Sequence, residues 1–214
     1  MNMQDVQARK KPGRERRKNA DMRRRQLLDA VRRSIIHNGL ARTTLATVAQ
    51  EAGLSQGVAV FYYKSKAGLL AAALEDIYQK YEINWQHALE NAGDDPKDRL
   101  WALIEADFAD DICDKESLSV WYAFWGEQSF TPRYSGITRQ FDLNRTNAIR
   151  EICGAFFPDD EADAAEALST WIDMLTDGYW QRMHLFPERY SRDEALEGVR
   201  AFLARVLPEH FGAG

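Results

Sequence analysis

The sequence has 214 residues, 45% of them hydrophobic, which suits a small N-terminal domain followed by one larger domain with a substantial core. It has no apolar run long enough to span a membrane, and its basic N-terminus lacks the apolar segment of a secretory signal. We therefore expect a cytoplasmic protein without a membrane partner. Cys113 and Cys153 match no metal-ligand or redox spacing and are too few for a disulfide framework.

The net charge of −5 conceals a strong asymmetry between the two parts of the chain. Residues 1–66 contain 15 Lys and Arg against 5 Asp and Glu, a balance of +10, whereas the remaining residues contain 13 against 28, a balance of −15. A basic end on an acidic body is typical of a protein that binds nucleic acid through that end alone. The alternative is that these basic residues only form a solvated tail. The motif described below lies in the same part of the chain as the basic charge, which favours nucleic-acid binding.

The first 21 residues are polar and basic, and they show almost no apolar periodicity, so residues 1–21 are predicted to be a disordered arm available to DNA phosphates or a minor groove. From Met22 the pattern changes. A helix is predicted whose apolar face carries Leu27, Leu28, Val31 and Ile35, and it is predicted to end at Gly39.

Two short helices joined by a tight turn follow. Leu45, Val48, Ala49 and Ala52 fall at i, i+3, i+4 and i+7, as expected for a helix that buries a single stripe. The next residue is a glycine that can end this helix, and Ser55 is a good N-cap for another one. This layout is that of a helix-turn-helix, in which the second helix enters a DNA major groove.

The remaining sequence also predicts helices only. One long helix extends from Lys66 to about Asn91, and Pro96 occupies the first turn of the next. Thr131-Pro132 and the capping box Ser191 to Glu194 mark further helix starts. Period-two alternation is absent, so the fold class is all-α with about nine or ten helices. The predicted domains are the arm (1–21), a three-helix DNA-binding domain (22–66), and a helical ligand-binding and dimerisation domain (67–214).

Residues 22–70 resemble the DNA-binding domain of TetR-family repressors, in the Thr-Thr helix start, the Ala-Gly-Leu-Ser turn, the Tyr62-Tyr63 pair, and Lys66 followed by Leu69. Residues 121–125 and 172–182 are similar to segments of the BetI-type branch, which represses choline-to-betaine genes. The resemblance implies a homodimer on a palindromic operator of double-stranded DNA. It also implies a variable helical effector domain and a four-helix dimer interface formed by the last two helices.

Residue chemistry predicts how the second short helix reads DNA. Gln56 is the clearest reader, because its amide can pair with adenine N6 and N7, whereas Gly57 permits close approach and Val58 suits a thymine methyl group. Thr44, Tyr62 and Lys66 resemble the family's phosphate contacts, and Val60 replaces the aromatic hydroxyl usual in the family. Phe61 and Tyr63 are expected to pack against Leu69 and the first helix. The predicted DNA-binding residues are Thr44, Ser55, Gln56, Gly57, Val58, Tyr62 and Lys66.

The penultimate long helix carries two faces. One is an apolar stripe; the other, about 140° around the helix, contains carboxylates and Trp180. We expect the first to form the dimer interface and the second to line a pocket in which rings and carboxylates hold a quaternary ammonium such as choline. The alternative is that the rings are core residues and the acids pair with Arg182 or face solvent. The predicted ligand-binding residues are Phe108, Trp121, Tyr122, Trp125, Asp173, Asp177 and Trp180.

Other classes of function lack support in the sequence. Signatures of common hydrolases, nucleotide-binding proteins and zinc sites are missing, so we predict a non-enzymatic protein without a cofactor. The four histidines are too scattered for a metal site. A ligand-free architectural DNA-binding protein would not need the aromatic-rich C-terminal part. A repressor that senses another lipophilic or cationic molecule remains the alternative to one that responds to choline.

Overall fold

The computed structural model describes the backbone of residues 12–212 and the side chains of residues 15–212. Over these residues the chain is helical and contains no strand, which confirms the predicted all-α fold class. The helices are α1 (Pro12–Arg42), α2 (Leu45–Glu51), α3 (Gln56–Tyr63), α4 (Lys66–Asn91), α5 (Pro96–Asp107), α6 (Asp110–Cys113), α7 (Lys115–Gln128), α8 (Pro132–Gly154), a 3-10 turn (Asp159–Glu161), α9 (Ala162–Leu185), α10 (Arg192–Val206) and α11 (Pro208–Phe211).

Eleven α-helices in the described residues exceed the nine or ten predicted. The two shortest, α6 and α11, are single turns of four residues, which are too brief to produce a periodic pattern in the sequence. None of the described helices is long and apolar enough to cross a membrane.

The structure differs from the predicted arm. Residues 1–11 of the arm lie outside the described residues, but residues 12–21 form the first turns of α1. Arg, Lys and Glu are good helix formers, so a charged segment can extend a helix whose apolar stripe begins further along the chain. At the other end, Gly39 has φ 75° and ψ 161°, so the regular part of α1 stops where the sequence predicted.

Helix starts follow local chemistry. The Asp95 carboxylate accepts from the backbone N–H groups of Lys97 and Asp98, with Pro96 in the first turn of α5. The predicted capping box of α10 is present, because Ser191 and Glu194 each bond to the other's backbone N–H. Thr131 stands before α8 as expected, but its side chain makes no capping bond.

Over the described residues the chain divides into two compact units, the first ending at residue 73 and the second beginning at residue 74. The division lies within α4, beyond the predicted boundary at residue 66. In the first unit, α1 and α2 pack together through Leu27, Val31 and Val48, which are all buried. Leu69, in the first turn of α4, is buried as well, which explains why the unit extends past the start of that helix.

In the second unit α9 packs against α7, α8 and α10. The apolar stripe of α9 that was predicted to form the dimer interface comprises Leu168, Trp171, Ile172, Leu175 and Tyr179. For Leu168 and Ile172 the prediction is wrong, because both are buried in the core of this unit, whereas Trp171 is 51% exposed. Met174, outside the predicted stripe, is 68% exposed. The other core residues include Leu100, Leu103, Ile104, Leu118, Phe124, Ile149 and Val199. Helix α9 therefore presents a buried face within the unit and an exposed apolar face.

Candidate functional site

The two short helices α2 and α3 have the predicted helix-turn-helix layout. At the start of α2, the Thr44 hydroxyl accepts from the Thr47 backbone N–H at 3.1 Å, and the Thr47 hydroxyl accepts from the Thr44 N–H at 2.8 Å. Gly53 adopts the left-handed conformation with φ 63°, which ends α2. The Leu54 N–H then bonds to the Ala49 carbonyl at 2.8 Å, fixing the turn into α3.

One face of α3 is open to solvent. Ser55, Gln56 and Gly57 are exposed, Val58 is half-buried, and Ala59 is fully buried. Ser55 occupies the N-cap position without a side-chain capping bond. The first turn of α3 is thus accessible to a partner, as a DNA-reading helix requires.

The expectation for Phe61 is wrong: 67% of its surface is exposed. At 100° per residue Phe61 lies about 160° from the buried Ala59, on the outer side of α3. Tyr63 lies only about 40° from Ala59, is half-buried, and donates a hydrogen bond to the Arg24 carbonyl of α1 at 3.3 Å. The angle of each side chain around the helix therefore explains why Phe61 is exposed whereas Tyr63 is half-buried.

Lys66, which was predicted to contact phosphate, has an internal role in the structure. Its ammonium donates to the carbonyls of Ala41 at 2.6 Å and Leu40 at 3.3 Å, and so caps the C-terminal end of α1. Tyr62 is half-buried with the Arg24 guanidinium 5.7 Å from its ring centre. Phosphate contact by Lys66, Tyr62 and the exposed Thr44 stays a prediction.

In the second unit a cavity of about 290 Å³ lies among α4, α5, α7, α8 and α9. Five of the seven residues predicted to bind ligand line it: Trp121, Trp125, Asp173, Asp177 and Trp180. The other lining residues are Tyr78, Tyr81, Glu82, Trp85, Asp107, Gln128, Phe141, Asp142, Arg145, Thr146 and Thr176.

Phe108 and Tyr122, although predicted to bind ligand, are not among the lining residues. Phe108 is fully buried and meets the Tyr179 ring edge-on at 6.5 Å between centroids. Tyr122 stacks on His184 at 4.7 Å with an interplanar angle of 15°. One step along α7 rotates a side chain by 100°, so Tyr122 leaves the face that carries Trp121 and Trp125.

The lining aromatic rings form one connected cluster. Trp121 contacts Tyr78, Trp125 and Trp180 with centroids 5.0, 5.8 and 5.8 Å away. Trp125 and Trp180 are nearly parallel, with an angle of 17° and centroids 6.0 Å apart. The Trp180 indole N–H donates to the Asp107 carbonyl at 3.0 Å, and the Trp125 N–H donates to the Tyr78 hydroxyl at 3.3 Å. Both N–H groups are satisfied, so these bonds orient the ring faces.

Arg145 anchors the inner side of the cavity. Its guanidinium bonds to the Asp107 carboxylate at 2.9 Å and lies 3.4 Å from that of Asp173. The Tyr81 hydroxyl donates to the other Asp107 oxygen at 2.6 Å. Five carboxylates and one guanidinium line the cavity, so their charges sum to −4 when all are ionised. A cation is therefore the electrostatically favoured occupant.

The carboxylates disfavour one another's ionisation. Partial burial of the carboxyl group, followed by repulsion from Asp173 and Asp107, raises the pKa of Asp177 to about 6, although the residue is exposed to solvent. Burial also raises the pKa of Asp142 and of Asp173, and for Asp173 the Arg145 charge opposes the shift. A bound positive charge would relieve this repulsion.

Sequence reasoning missed two contributions to the cavity. Helix α4 contributes Tyr78, Tyr81 and Trp85, which lie at i, i+3 and i+7. The sequence contains this stripe but does not indicate which helices it contacts. Asp142 and Arg145 come from α8, where no local pattern distinguishes them from solvated charges.

Comparison with known families agrees with this two-part arrangement. Residues 27–73 match the family model of bacterial regulatory proteins of the tetR family, and residues 96–208 match that of the C-terminal part of BetI-type transcriptional repressors. The chain is 30% identical to the HTH-type transcriptional regulator BetI of Stenotrophomonas maltophilia, over 81% of this chain and 87% of that one. It is also 30% identical to BetI of Paraburkholderia xenovorans, over 87% of this chain and 94% of that one.

Solved structures share the fold. A transcriptional regulator from Pseudomonas aeruginosa has a TM-score of 0.75 at 21% identity, covering 89% of this chain and 93% of its own. A regulator from Saccharomonospora viridis in complex with choline has the same TM-score and identity, covering 86% and 96%. Together with the family models, the helix-turn-helix and the helical second unit show that the chain belongs to the TetR family of bacterial regulatory proteins, as a BetI-type DNA-binding transcriptional repressor and not an enzyme.

Proposed function

We propose that this repressor controls choline and glycine-betaine genes, with choline or a related quaternary ammonium as its effector in the cavity of the second unit. The observation that carries the proposal is the lining, which combines a connected cluster of aromatic rings with a charge sum of −4. The choline complex of the Saccharomonospora viridis regulator supports it by analogy of fold.

The chemistry of a quaternary ammonium suits this lining. Such a cation has no N–H to donate, so its recognition depends on ring faces and nearby negative charge. Each desolvated ring contributes about 0.5–2 kcal/mol. Trp125 belongs to the ring cluster and is half-buried, and it lines the cavity together with the carboxylate of Asp177.

Operator binding requires a homodimer in this proposal. The exposed apolar face of α9, with Trp171 and Met174, is the expected interface together with α10. A dimer with recognition helices about 34–36 Å apart would match successive major grooves of a palindromic operator. A coupling free energy of about 1–3 kcal/mol would let the effector change operator affinity about 5- to 150-fold.

Calorimetric titration of the purified protein with choline, betaine aldehyde and glycine betaine tests the effector. We expect saturable choline binding that weakens about 2- to 30-fold in Trp125→Ala, because one ring is lost. Trp101→Ala is the matched control, since the Trp101 indole pairs with Glu105 outside the cavity lining. Absence of heat with all three compounds would contradict the effector assignment and leave the family's DNA-binding function untouched.

A further inference from the structure

The recognition helix carries an unusual apolar surface. Phe61 is 67% exposed and Val60 is 40% exposed, although both are large hydrophobic side chains in the helix that meets DNA in this family. Solvent exposure of such a surface is unfavourable unless a partner covers it. The position of these side chains relative to the predicted readers indicates which partner fits.

Helix geometry places Phe61 on the side of α3 opposite its buried residue, together with Gly57. At 100° per residue, Gly57 and Phe61 are 40° apart and each lies about 160° from the buried Ala59, whereas Gln56 lies about 60° from Ala59 and 140° from Phe61. The eight residues of α3 span about 12 Å, which is about the width of a B-DNA major groove. Phe61 therefore belongs to the outer surface of α3 rather than to the side that packs within the first unit.

The surroundings of the Phe61 ring favour DNA over a protein surface. The Lys64 ammonium lies 5.2 Å from the ring centre, and the Tyr62 ring meets it edge-on at 5.1 Å. Residues 55–64 include no Asp or Glu. An apolar ring beside a positive charge matches a thymine methyl group next to the phosphate backbone, and apolar contact with that methyl is an established way to distinguish thymine.

We propose that Phe61 is a specificity-determining residue that contacts the C5-methyl group of a thymine in each operator half-site. Gly57 lies on the same side of α3 four residues earlier, a rise of about 6 Å along the helix, so the thymine is expected about two base-pair steps from the bases that face Gly57. Val60 lies 100° from Phe61 around the helix and is 40% exposed, so it adds apolar surface at the edge of this side. The proposal rests on the DNA-binding function shown by the family.

The test combines a protein change with a DNA change that removes only the methyl group. Duplexes are first selected from a random-sequence pool by the full-length wild-type protein. Each thymine is then replaced by deoxyuridine, and affinity is measured by fluorescence anisotropy at fixed salt. We expect one thymine per half-site whose replacement weakens wild-type binding about fourfold, or about fifteenfold when both half-sites are changed.

Phe61→Ala should abolish this dependence on the methyl group. Because Phe61 is largely exposed, the variant is expected to fold, which circular dichroism checks. Phe130→Ala is the matched control, since Phe130 is 81% exposed but lies outside the first unit, and it should retain the full loss on deoxyuridine.

Two results would overturn the proposal. One is a wild-type protein for which no thymine replacement changes affinity; the other is a deoxyuridine loss that persists undiminished in Phe61→Ala. Either result would show that Phe61 does not contact a thymine methyl group in the operator. Selection of duplexes by the wild-type protein tests DNA binding separately.

Discussion

Cation binding in the cavity should depend on pH through Asp177. Its pKa of about 6 means that the free protein carries a largely protonated Asp177 at pH 5 and a largely ionised one at pH 7. A raised carboxylate pKa favours the neutral form below that value, so choline affinity should fall as the pH falls through 6. Asp173, Asp107, Asp142 and Arg145 are the charged groups that act on this titration.

The size of the pH effect on choline affinity follows from the fraction of the protein in which Asp177 is ionised. If only the ionised form binds, that fraction is about 0.09 at pH 5 and about 0.9 at pH 7, which gives a tenfold change in apparent affinity. Asp142 and Asp173 also have raised pKa values, so they add to the change in the same direction. Binding should release protons near pH 6, because a bound cation stabilises the ionised carboxylate.

Calorimetry with choline at pH 5, 6, 7 and 8 measures this effect, and repetition in buffers of different ionisation enthalpy counts the protons released. Asp177→Asn should flatten most of the pH dependence and weaken binding at pH 8. Asp163→Asn, an exposed position on the same helix that does not line the cavity, should behave like the wild type. An affinity independent of pH in the wild type would refute the assignment of Asp177 to cation binding.

Three further predictions concern stability and DNA affinity. Arg145→Met should destabilise the fold by about 3–5 kcal/mol in urea unfolding, because it leaves buried carboxylate charge without a partner, and a loss below about 1 kcal/mol would contradict the anchoring role. Gly68→Ala should lower the melting temperature, since an added Cβ would lie 2.5 Å from a backbone carbonyl, whereas Gly126→Ala, with open space around it, should not. Lys66→Ala should weaken binding to specific and random DNA alike and make the affinity depend less steeply on salt concentration. It should also lower thermal stability, because the cap on α1 is lost, and an unchanged melting temperature would contradict that capping role.

Local signals in the sequence account for much of the first unit. The ends of α2 depend on Thr44 and Gly53, whose capping and left-handed preferences act over three or four residues. The end of the regular part of α1 at Gly39 has the same local origin. Local signals did not predict the structure of residues 12–21. Their charge density indicates disorder, but good helix formers among them continue the adjoining helix α1. The exposure of Phe61 could not be predicted from its apolar character, because it depends on the angle between this side chain and the buried Ala59 around α3.

Periodicity, helix caps and charge are local or additive properties, so the helical class, the helix-turn-helix and the separation of basic and acidic parts can all be predicted from the amino-acid sequence. Which rings share a cavity depends on how the helices pack. Trp121 and Trp125 meet Trp180, whereas Tyr122 turns to His184, and that choice depends on how α7 is rotated against α9. Tertiary structure also brought Arg145 to Asp107 across 38 positions of the chain, a pairing fixed by the packing of α8 on α5 that no local pattern records.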